Sequence, residues 1–218
     1  MSENLLSYLG RLLFELEEQK LSFSLSGGLV ANLYRETPRM TRDIDVALLG
    51  PPAIKEAAHR ILESFNLKPF DITLAELQGG PQFAIKAKST PVQIVVGQTR
   101  DKDAFHGIDF ILPTMPWVEE AVGRAQSNCL DVGIGKTVPC LTREDLIISK
   151  LHSFRDSKTR YKDLDDLKEI LRLRPDLDVD LLGRKVQEYK LPIPDSIKQY
   201  FHYKVLRAER RIFKGRSM

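Results

Sequence analysis

The most constraining feature of this chain is a glycine turn that follows a short apolar segment and precedes a pair of aspartates. Ser26, Gly27 and Gly28 come directly after the alternating segment LSFSL, and Asp43 and Asp45 lie one residue apart in DIDVALL. LSFSL and DIDVALL are typical of strands, and the residues between them have the character of a short helix. The order of strand, glycine turn, helix and acidic strand therefore predicts an α/β unit whose functional residues lie together at the glycine turn and the acidic strand.

The acidic pair is a candidate metal site. Asp43 and Asp45 project from the same face of their strand, because strand side chains alternate, and their Cα atoms are then ~6–7 Å apart. Two neighbouring carboxylates repel each other unless a cation lies between them. Their oxygens suit Mg²⁺ or Mn²⁺, which keep open positions for substrate phosphates. The alternative for an isolated Asp-x-Asp is a solvated strand end.

The glycine turn is a candidate phosphate site. Gly27 and Gly28 let a phosphate approach the backbone closely, and the start of the next helix offers unpaired N–H donors and a positive dipole end. A Gly-Gly pair on its own is most often a simple turn. In this order and spacing with the acidic pair, it indicates a nucleoside triphosphate that binds with its metal ion.

The remaining patterns divide the chain near residue 140. Before that point, the alternating segments QFAIKAK and VQIVV predict an antiparallel hairpin, and a short strand is expected between residues 129 and 140. After it, apolar residues recur only at helical spacing. Helices are predicted over residues 143–154, 160–173, 179–190 and 195–213.

Two charged residues fall on the apolar faces of these predicted helices. Lys150 lies within the apolar face of the first, and Asp163 lies within that of the second. Because an isolated buried charge is very unfavourable, each group needs a partner or a polar cavity. In one explanation Lys150 pairs with Asp163, or keeps its ammonium in water. In the other, both face a cleft toward the α/β part, where Lys150 contacts a triphosphate and Asp163 orients a hydroxyl or accepts a proton.

The chain resembles the AbiEii-like nucleotidyltransferases, a group that includes toxins of toxin–antitoxin systems, in the segments GGLVANLY, RMTRDIDV, LTREDLIISKL and RYKDLDDL. The resemblance covers roughly residues 20–172. It implies an α/β fold, with a nucleotidyltransferase-like mixed sheet flanked by helices over residues 1–140. A helical domain over residues 141–218 is then expected to complete the active-site cleft.

The resemblance also implies an activity, the metal-dependent transfer of a nucleoside monophosphate from a nucleoside triphosphate to an acceptor hydroxyl. Family members use a lysine and an RxKD-type motif in the active site, which this chain matches at Lys150 and at residues 160–163. The implied catalytic residues are Asp43, Asp45, Lys150 and Asp163, of which the first two hold Mg²⁺ or Mn²⁺. The implied nucleotide-binding residues are Ser26, Gly27, Gly28, Arg160 and Lys162. The alternative for Arg160 and Lys162 is a solvated helix start.

A third carboxylate is the point at which the chain departs from the family pattern. Many nucleotidyltransferases carry it on a neighbouring strand, which in this chain is expected to be TPVQIVVGQ, with Gln93 at the acidic position. Glutamine cannot act as a base. Either two carboxylates suffice and Asp163 takes the proton, or activity is reduced, or the protein is a catalytically silent nucleotide-binding module. Asp71 and Glu76 are further acids, but nothing in their sequence setting favours them.

The charge balance does not indicate a general nucleic-acid binder, because 33 basic residues stand against 30 acidic ones. The C-terminal stretch KVLRAERRIFKGRSM differs, with six cations against Glu209 alone. It is either a solvated helix end or a phosphate-binding patch. With the resemblance, it makes RNA the first candidate acceptor, beside a protein hydroxyl or a small molecule. A nucleic-acid binder that acts through this helix alone is a further hypothesis.

Compartment and partners follow from the cysteines and the family. Cys129 and Cys140 lack CxxC spacing, which argues against a disulfide scaffold or a zinc site and fits a reducing cytoplasm. The N-terminus lacks the pattern of a signal peptide, and no stretch approaches the ~20 apolar residues of a membrane span. We therefore expect a cytoplasmic protein without a membrane partner, and the resemblance implies a cognate antitoxin.

Overall fold

The computed structural model describes residues 5–73, 91–98, 107–156, 161–173 and 176–214. The chain divides into two compact units. The first comprises Met1–Leu33 and Arg39–Thr142, and the second comprises Tyr34–Pro38 and Arg143–Met218. A short stretch between the glycine turn and the acidic strand therefore belongs to the second unit.

A five-stranded mixed sheet forms the centre of the first unit. Its strands are β1 (Ser22–Leu25), β2 (Asp43–Leu49), β3 (Lys68–Thr73), β4 (Val92–Gln98) and β5 (Gly107–Ile111). They lie in the order β1-β2-β5-β4-β3. The β2–β5 pairing is parallel, and the other three pairings are antiparallel. The predicted fold class, an α/β fold with a mixed sheet flanked by helices, is confirmed.

Helices and a small ribbon complete the first unit. The helices are α1 (Leu5–Glu18), α2 (Gly27–Leu33), α3 (Ile54–Ser64) and α4 (Val118–Ala125), and the ribbon pairs β6 (Cys129–Asp131) with β7 (Thr137–Pro139). Four leucines that share one face of α1 are fully buried: Leu9, Leu12, Leu13 and Leu16. Within the sheet, Ile44, Val46 and Phe110 share one fully buried face. Asp43 and Asp45 occupy the opposite face of β2, because side chains alternate along a strand.

Two strands of the sheet, β3 and β5, are absent from the sequence-based prediction. β3 contains Pro69 and Asp71, residue types that are depleted in strands. β5 is only five residues long. The predicted hairpin partner of β4, the segment QFAIKAK, lies outside the described residues, and β4 instead pairs with β3 and β5 in the part that is described.

The second unit is helical, as predicted. It contains α5 (Arg143–Asp156), α6 (Tyr161–Arg172), α7 (Val179–Glu188), a 3₁₀ helix (Asp195–Tyr200) and α8 (Tyr203–Lys214). The continuous helix predicted over 195–213 is wrong, because the buried Phe201 adopts an extended conformation between the last two elements. Asp178 begins α7 by accepting hydrogen bonds from the N–H groups of Asp180 and Leu181. No helix in the described ranges is long and apolar enough to cross a bilayer.

The two cysteines of the first unit differ in burial, which gives a testable difference in reactivity. Cys140 is buried beside Leu25 at the end of β1, whereas Cys129 is exposed. Loss of solvation on burial raises the pKa of the Cys140 thiol from 9.0 to about 12. Because the thiolate is the reactive form, we expect a thiol reagent near neutral pH to label Cys129 quickly and Cys140 only after unfolding in urea.

The control for this labelling experiment is Cys129→Ser, which should leave no rapidly reacting thiol in the folded protein. The same pKa shift has a consequence for stability. Since the folded-state pKa is raised, the stabilisation is fully present below pH 9 and is lost as the pH rises toward about 12. Equal labelling rates for the two thiols in the native protein would contradict the burial of Cys140.

Candidate active site

The glycine turn is joined directly to the acidic strand. β1 pairs with β2 so that Leu25 lies opposite Val46. One residue further on, the Ser26 N–H donates a hydrogen bond to the Asp45 carbonyl at 2.9 Å, and α2 then begins at Gly27. The two halves of the sequence motif therefore lie side by side within the first unit.

Two features of the structure require glycine at position 27. The backbone φ of Gly27 is +62°, in the left-handed region that residues with a Cβ atom rarely adopt. A Cβ at this position would lie 1.7 Å from Oδ2 of Asp45 and 2.3 Å from its Cγ. The Asp45 carboxylate thus packs against the backbone of the turn, in space that only glycine leaves open.

Gly27→Ala is expected to lower the free energy of unfolding by about 1–3 kcal/mol, because the added methyl group strains the backbone and displaces the Asp45 carboxylate. Urea unfolding followed by circular dichroism measures the change. Gly10→Ala is the matched control, since a Cβ at Gly10 in α1 meets no atom within 4 Å. That variant should be neutral or stabilised by up to about 1 kcal/mol. Equal midpoints for the two variants would contradict this geometry.

Gly28 and Asn32 set the entry of the chain into β2. A Cβ at Gly28 would lie 2.8 Å from Oγ1 of Thr41 and 3.1 Å from Nη2 of Arg39, so these two side chains reach the turn. Asn32 of α2 binds the backbone of Arg39 twice. Its Nδ2 donates to the Arg39 carbonyl at 2.8 Å, and its Oδ1 accepts from the Arg39 N–H at 2.9 Å. Asn32 is a positioning residue that the sequence patterns did not reveal.

A third acid, Asp109, lies on the same sheet face as the acidic pair. In the parallel pairing of β2 and β5, Asp45 is directly opposite Asp109. Neighbouring strands lie ~4.8 Å apart, and side chains at matched positions project to the same face. Asp43 is exposed, while Asp45 and Asp109 are half-buried. The available signal was the alternation of Ile108 and Phe110 around Asp109 in GIDFI.

The expectation that Gln93 occupies the third acidic position is wrong. Gln93 lies in β4, which β5 separates from β2, and its neighbour Ile94 pairs with Ile111 on the face of Asp109. The buried Gln93 side chain therefore projects to the opposite face. Asp71 also projects there, where it contacts Lys55 and His59. Glu76 lies outside the described residues.

The acidic face of the sheet has donor chemistry that fits a divalent cation. Carboxylates of Asp43, Asp45 and Asp109 supply hard oxygen ligands of the kind that Mg²⁺ and Mn²⁺ prefer. Among the described residues, no three His, Cys, Asp or Glu side chains converge with the geometry of a metal site. The three acids would therefore have to rotate toward a shared ion.

Asp109 also borders a cavity of the first unit with a volume of about 1130 Å³. Its other walls include three aromatic side chains, Tyr8, Phe65 and Phe70, of which Phe70 is 60% exposed. The cavity leaves room beside the acidic face for a molecule with a flat, partly apolar group.

In the second unit, Lys150 and Asp163 form a buried ion pair. The Lys150 ammonium donates to Oδ1 of Asp163 at 3.0 Å and to Oδ2 of Asp166 at 2.7 Å. Lys150 is 4% exposed and Asp166 is fully buried. The prediction that both charges lie on buried helix faces is confirmed. The pairing is the first of the two explanations, and a further contact of Lys150 with a triphosphate stays a prediction.

The segment Tyr34–Pro38 is held by the same cluster. Arg35 forms ion pairs with Asp166 and, at 2.8 Å, with Asp165. Burial is the largest influence on the Arg35 pKa and lowers it, but the hydrogen bonds to both aspartates raise it above its ordinary value. Arg35 and Asp166 were missed by the sequence patterns. The spacing of Asp166 three residues after Asp163, on one side of a helix, was the available signal.

The predicted site residues thus form two groups. Ser26, Gly27 and Gly28 lie with Asp43 and Asp45 in the first unit; the ion pair of Lys150 with Asp163 lies in the second. Ser26 and Gly28 are buried, and Gly27 is half-buried. Lys162 is exposed in the first turn of α6. Arg160 lies outside the described residues.

Three solved structures align with most of this chain. The crystal structure of ANT(2'')-Ia in complex with adenylyl-2''-tobramycin aligns with a TM-score of 0.51 and 16% identity, over 84% of this chain and 98% of that chain. The solution structure of the antibiotic-resistance factor ANT(2'')-Ia has a TM-score of 0.46 and 16% identity, over 97% and 91%. An antigenic nucleotidyltransferase-like protein from Paracoccidioides brasiliensis has a TM-score of 0.46 and 14% identity, over 99% and 89%.

The family is shown by a sequence model. No curated protein gives a match. The model for the family described as nucleotidyl transferase AbiEii toxin, Type IV TA system, matches residues 11–216. That range includes the glycine turn, the acidic strand with its neighbour β5, and the buried ion pair. The chain therefore belongs to the AbiEii nucleotidyl transferase toxin family.

Proposed function

We propose that this protein transfers a nucleoside monophosphate from a nucleoside triphosphate to an acceptor hydroxyl in a metal-dependent reaction. The observation that carries the proposal is the packing of the Asp45 carboxylate on the Gly27 backbone, with Asp43 and Asp109 on the same sheet face. A glycine turn at the start of a helix, with an acidic sheet face beside it, is the combination that a metal-bound triphosphate requires. Membership of a nucleotidyl transferase family supports the same reaction class.

The first unit would bind the triphosphate and its metal ion. Asp43, Asp45 and Asp109 would hold Mg²⁺ or Mn²⁺. When bound, the ion supplies charge neutralisation for the triphosphate and for the transition state. The β- and γ-phosphates would lie against the turn of Ser26, Gly27 and Gly28, where Gly27 is the least buried of the three.

Asp109 is also proposed as the group that accepts the proton of the acceptor hydroxyl. It is half-buried beside Asp45, and it borders the cavity of the first unit. This role removes the need for Asp163 as the base. Gln93 gives no support to a catalytically silent module, because it is not on the strand next to β2.

The cluster of the second unit would serve the departing pyrophosphate. Lys150 would supply the positive charge, and its contacts with Asp163 and Asp166 would fix the direction of the ammonium. Arg160 and Lys162 would add phosphate contacts. In this proposal Asp163 orients the Lys150 ammonium.

RNA is the proposed acceptor, and a cognate antitoxin is the proposed protein partner. The antitoxin follows from the description of the family as a Type IV toxin–antitoxin system. A small-molecule hydroxyl is the competing acceptor class, because ANT(2'')-Ia was solved with an adenylylated tobramycin. The cytoplasm is the proposed compartment, since both cysteines are free thiols.

The reaction class can be tested with triphosphates labelled at different phosphates. We expect incubation with total RNA and Mg²⁺ to transfer label from the α-phosphate to RNA and none from the γ-phosphate. EDTA should abolish the transfer, and excess Mg²⁺ or Mn²⁺ should restore it. A parallel chromatographic assay with aminoglycosides tests the small-molecule acceptor. Calorimetric binding of a triphosphate without label transfer to any acceptor would overturn the proposal and select the silent module.

A further inference from the structure

The outer face of α8 carries a stripe of basic and aromatic side chains. Tyr203, Arg207, Arg210 and Arg211 follow the spacing i, i+4, i+7 and i+8, which places them on one side of a helix. All four are exposed. Val205 projects from the other side and is fully buried in the second unit. We call these four residues the arginine stripe.

The acid within α8 does not neutralise the arginine stripe. Glu209 is only 7% exposed. Its Oε1 accepts a hydrogen bond from the Ile193 N–H at 2.9 Å and lies 3.6 Å from the Lys198 ammonium. Although Glu209 precedes two arginines in the sequence, its carboxylate is directed inward, so the outer face of α8 carries positive charge without a compensating acid of its own.

Two lysines near the arginine stripe form ion pairs, whereas the arginines of the stripe form none with the described residues. Lys204 pairs with Asp180 at 2.9 Å, and Lys198 pairs with Asp195 at 2.8 Å. Over the described ranges, no carboxylate forms an ion pair with the three arginines. Three neighbouring guanidinium groups without counter-charges attract a polyanion, and release of its condensed counterions favours binding.

Aromatic side chains at the start of the arginine stripe indicate which polyanion fits. The rings of His202 and Tyr203 lie 4.5 Å apart between centroids, with an angle of 41° between their planes. Tyr203 is 66% exposed. Exposed rings beside arginines are the combination that binds unpaired bases and the phosphates that follow them. An acidic protein surface would engage the arginines but leave the rings without a stacking partner.

We propose that the arginine stripe, together with His202, binds single-stranded RNA. The arginines contact successive phosphates, and the rings of His202 and Tyr203 stack on bases. The stripe is ~12 Å long at 1.5 Å per residue, which accommodates about two or three phosphates. The role of this surface as the docking place of the acceptor rests on the proposed function; the binding itself does not.

The test measures binding of a short fluorescein-labelled single-stranded RNA by anisotropy, without triphosphate, over a series of KCl concentrations. The triple variant Arg207→Glu, Arg210→Glu, Arg211→Glu is expected to bind at least ~30-fold more weakly, with a salt slope reduced by about 2, since each phosphate contact contributes about 0.7. The matched control changes three exposed cations elsewhere, Lys20→Glu, Arg60→Glu and Lys190→Glu. It should stay within about 3-fold of the wild type.

Tyr203→Ala separates stacking from charge. It is expected to weaken binding about 5–10-fold and to leave the salt slope unchanged, because a base loses its stacking partner while the phosphate contacts remain. Circular dichroism checks that each variant is folded. Equal binding by the two triple variants would overturn the proposal. Equal competition by polyglutamate or by duplex RNA would also overturn it, because the surface would then bind anions without regard to unpaired bases.

The Asp43→Asn, Asp45→Asn double variant separates this inference from the proposed function. It should bind the labelled RNA as tightly as the wild type. A wild-type protein that binds RNA through the arginine stripe but transfers no nucleotide would overturn the proposed function and support the stripe. Transfer to RNA that the arginine substitutions leave unchanged at low RNA concentration would overturn the stripe as the docking place.

Discussion

Asp43→Asn combined with Asp45→Asn is expected to lower transfer of α-phosphate label by at least ~10³-fold. The exchange removes both negative charges from the face proposed to hold the metal ion, and amide oxygens bind Mg²⁺ weakly. Asn has the shape of Asp, so the packing of residue 45 against Gly27 should persist. Initial rates at saturating triphosphate, with circular dichroism and urea unfolding as folding checks, measure the effect.

Asp109→Asn extends this test to the third acid. We expect a loss of about 10²–10⁴-fold, the range that a general base contributes. Asp71→Asn is the matched control, because Asp71 lies on the other face of the same sheet, with Lys55 and His59 as its contacts. The control should keep at least about half of the wild-type rate, since it touches no proposed site group. If Asp109→Asn and Asp71→Asn had equal rates, Asp109 would have no part in the reaction.

Asp166→Ala is expected to be the most destabilising of the substitutions considered, by about 3 kcal/mol or more. Asp166 is fully buried and accepts hydrogen bonds from the Lys150 ammonium and the Arg35 guanidinium. Its removal leaves two buried cations with fewer counter-charges. The change in the free energy of unfolding is measured by urea titration.

Asp165→Ala is the control for this cluster. The Asp165 side chain is 58% exposed, and within the described residues its ion pair is with Arg35. Its loss should lower the free energy of unfolding by less than about 1 kcal/mol, as is usual for ion pairs in contact with water.

A second comparison combines Lys150→Met with Asp166→Leu. The double variant should lose less free energy of unfolding than the sum of the losses in the two single variants. Equal costs for the two aspartate-to-alanine variants would contradict a buried cluster centred on Asp166.

Local patterns predicted the half of the candidate site that is contiguous in the chain. Ser26, Gly27 and Gly28 join a strand to a helix, and the left-handed φ of Gly27 is a local requirement that a glycine in the sequence displays. Asp43 and Asp45 share a face because alternation along a strand depends only on spacing. Helical periodicity likewise predicted that Lys150 and Asp163 are buried, since the apolar positions of one helix suffice to define its inner face.

The strand next to β2 was not predictable in the same way. Strand order follows from which segments pair across the whole sheet, and β5 inserts between β2 and β4 although it follows β4 in the chain. The choice of Gln93 assumed that the next strong strand signal was the neighbouring strand. Asp109 was missed because β5 is short, and its proximity to Asp45 arises only from the parallel pairing of two strands.

The sequence by itself determined the fold class, the family, the acidic pair and the burial of two helix charges. Each of these depends on short-range spacing or on motifs that can be recognised in the sequence. Only the tertiary structure decided the identity of the third acid, the ion pair of Arg35 with Asp166, and the inward direction of the Glu209 carboxylate, away from the neighbouring arginines. These features depend on contacts between residues far apart in the chain or on which side of a helix is covered. Long-range contacts and the covered side of a helix cannot be deduced from residues that are neighbours in the sequence.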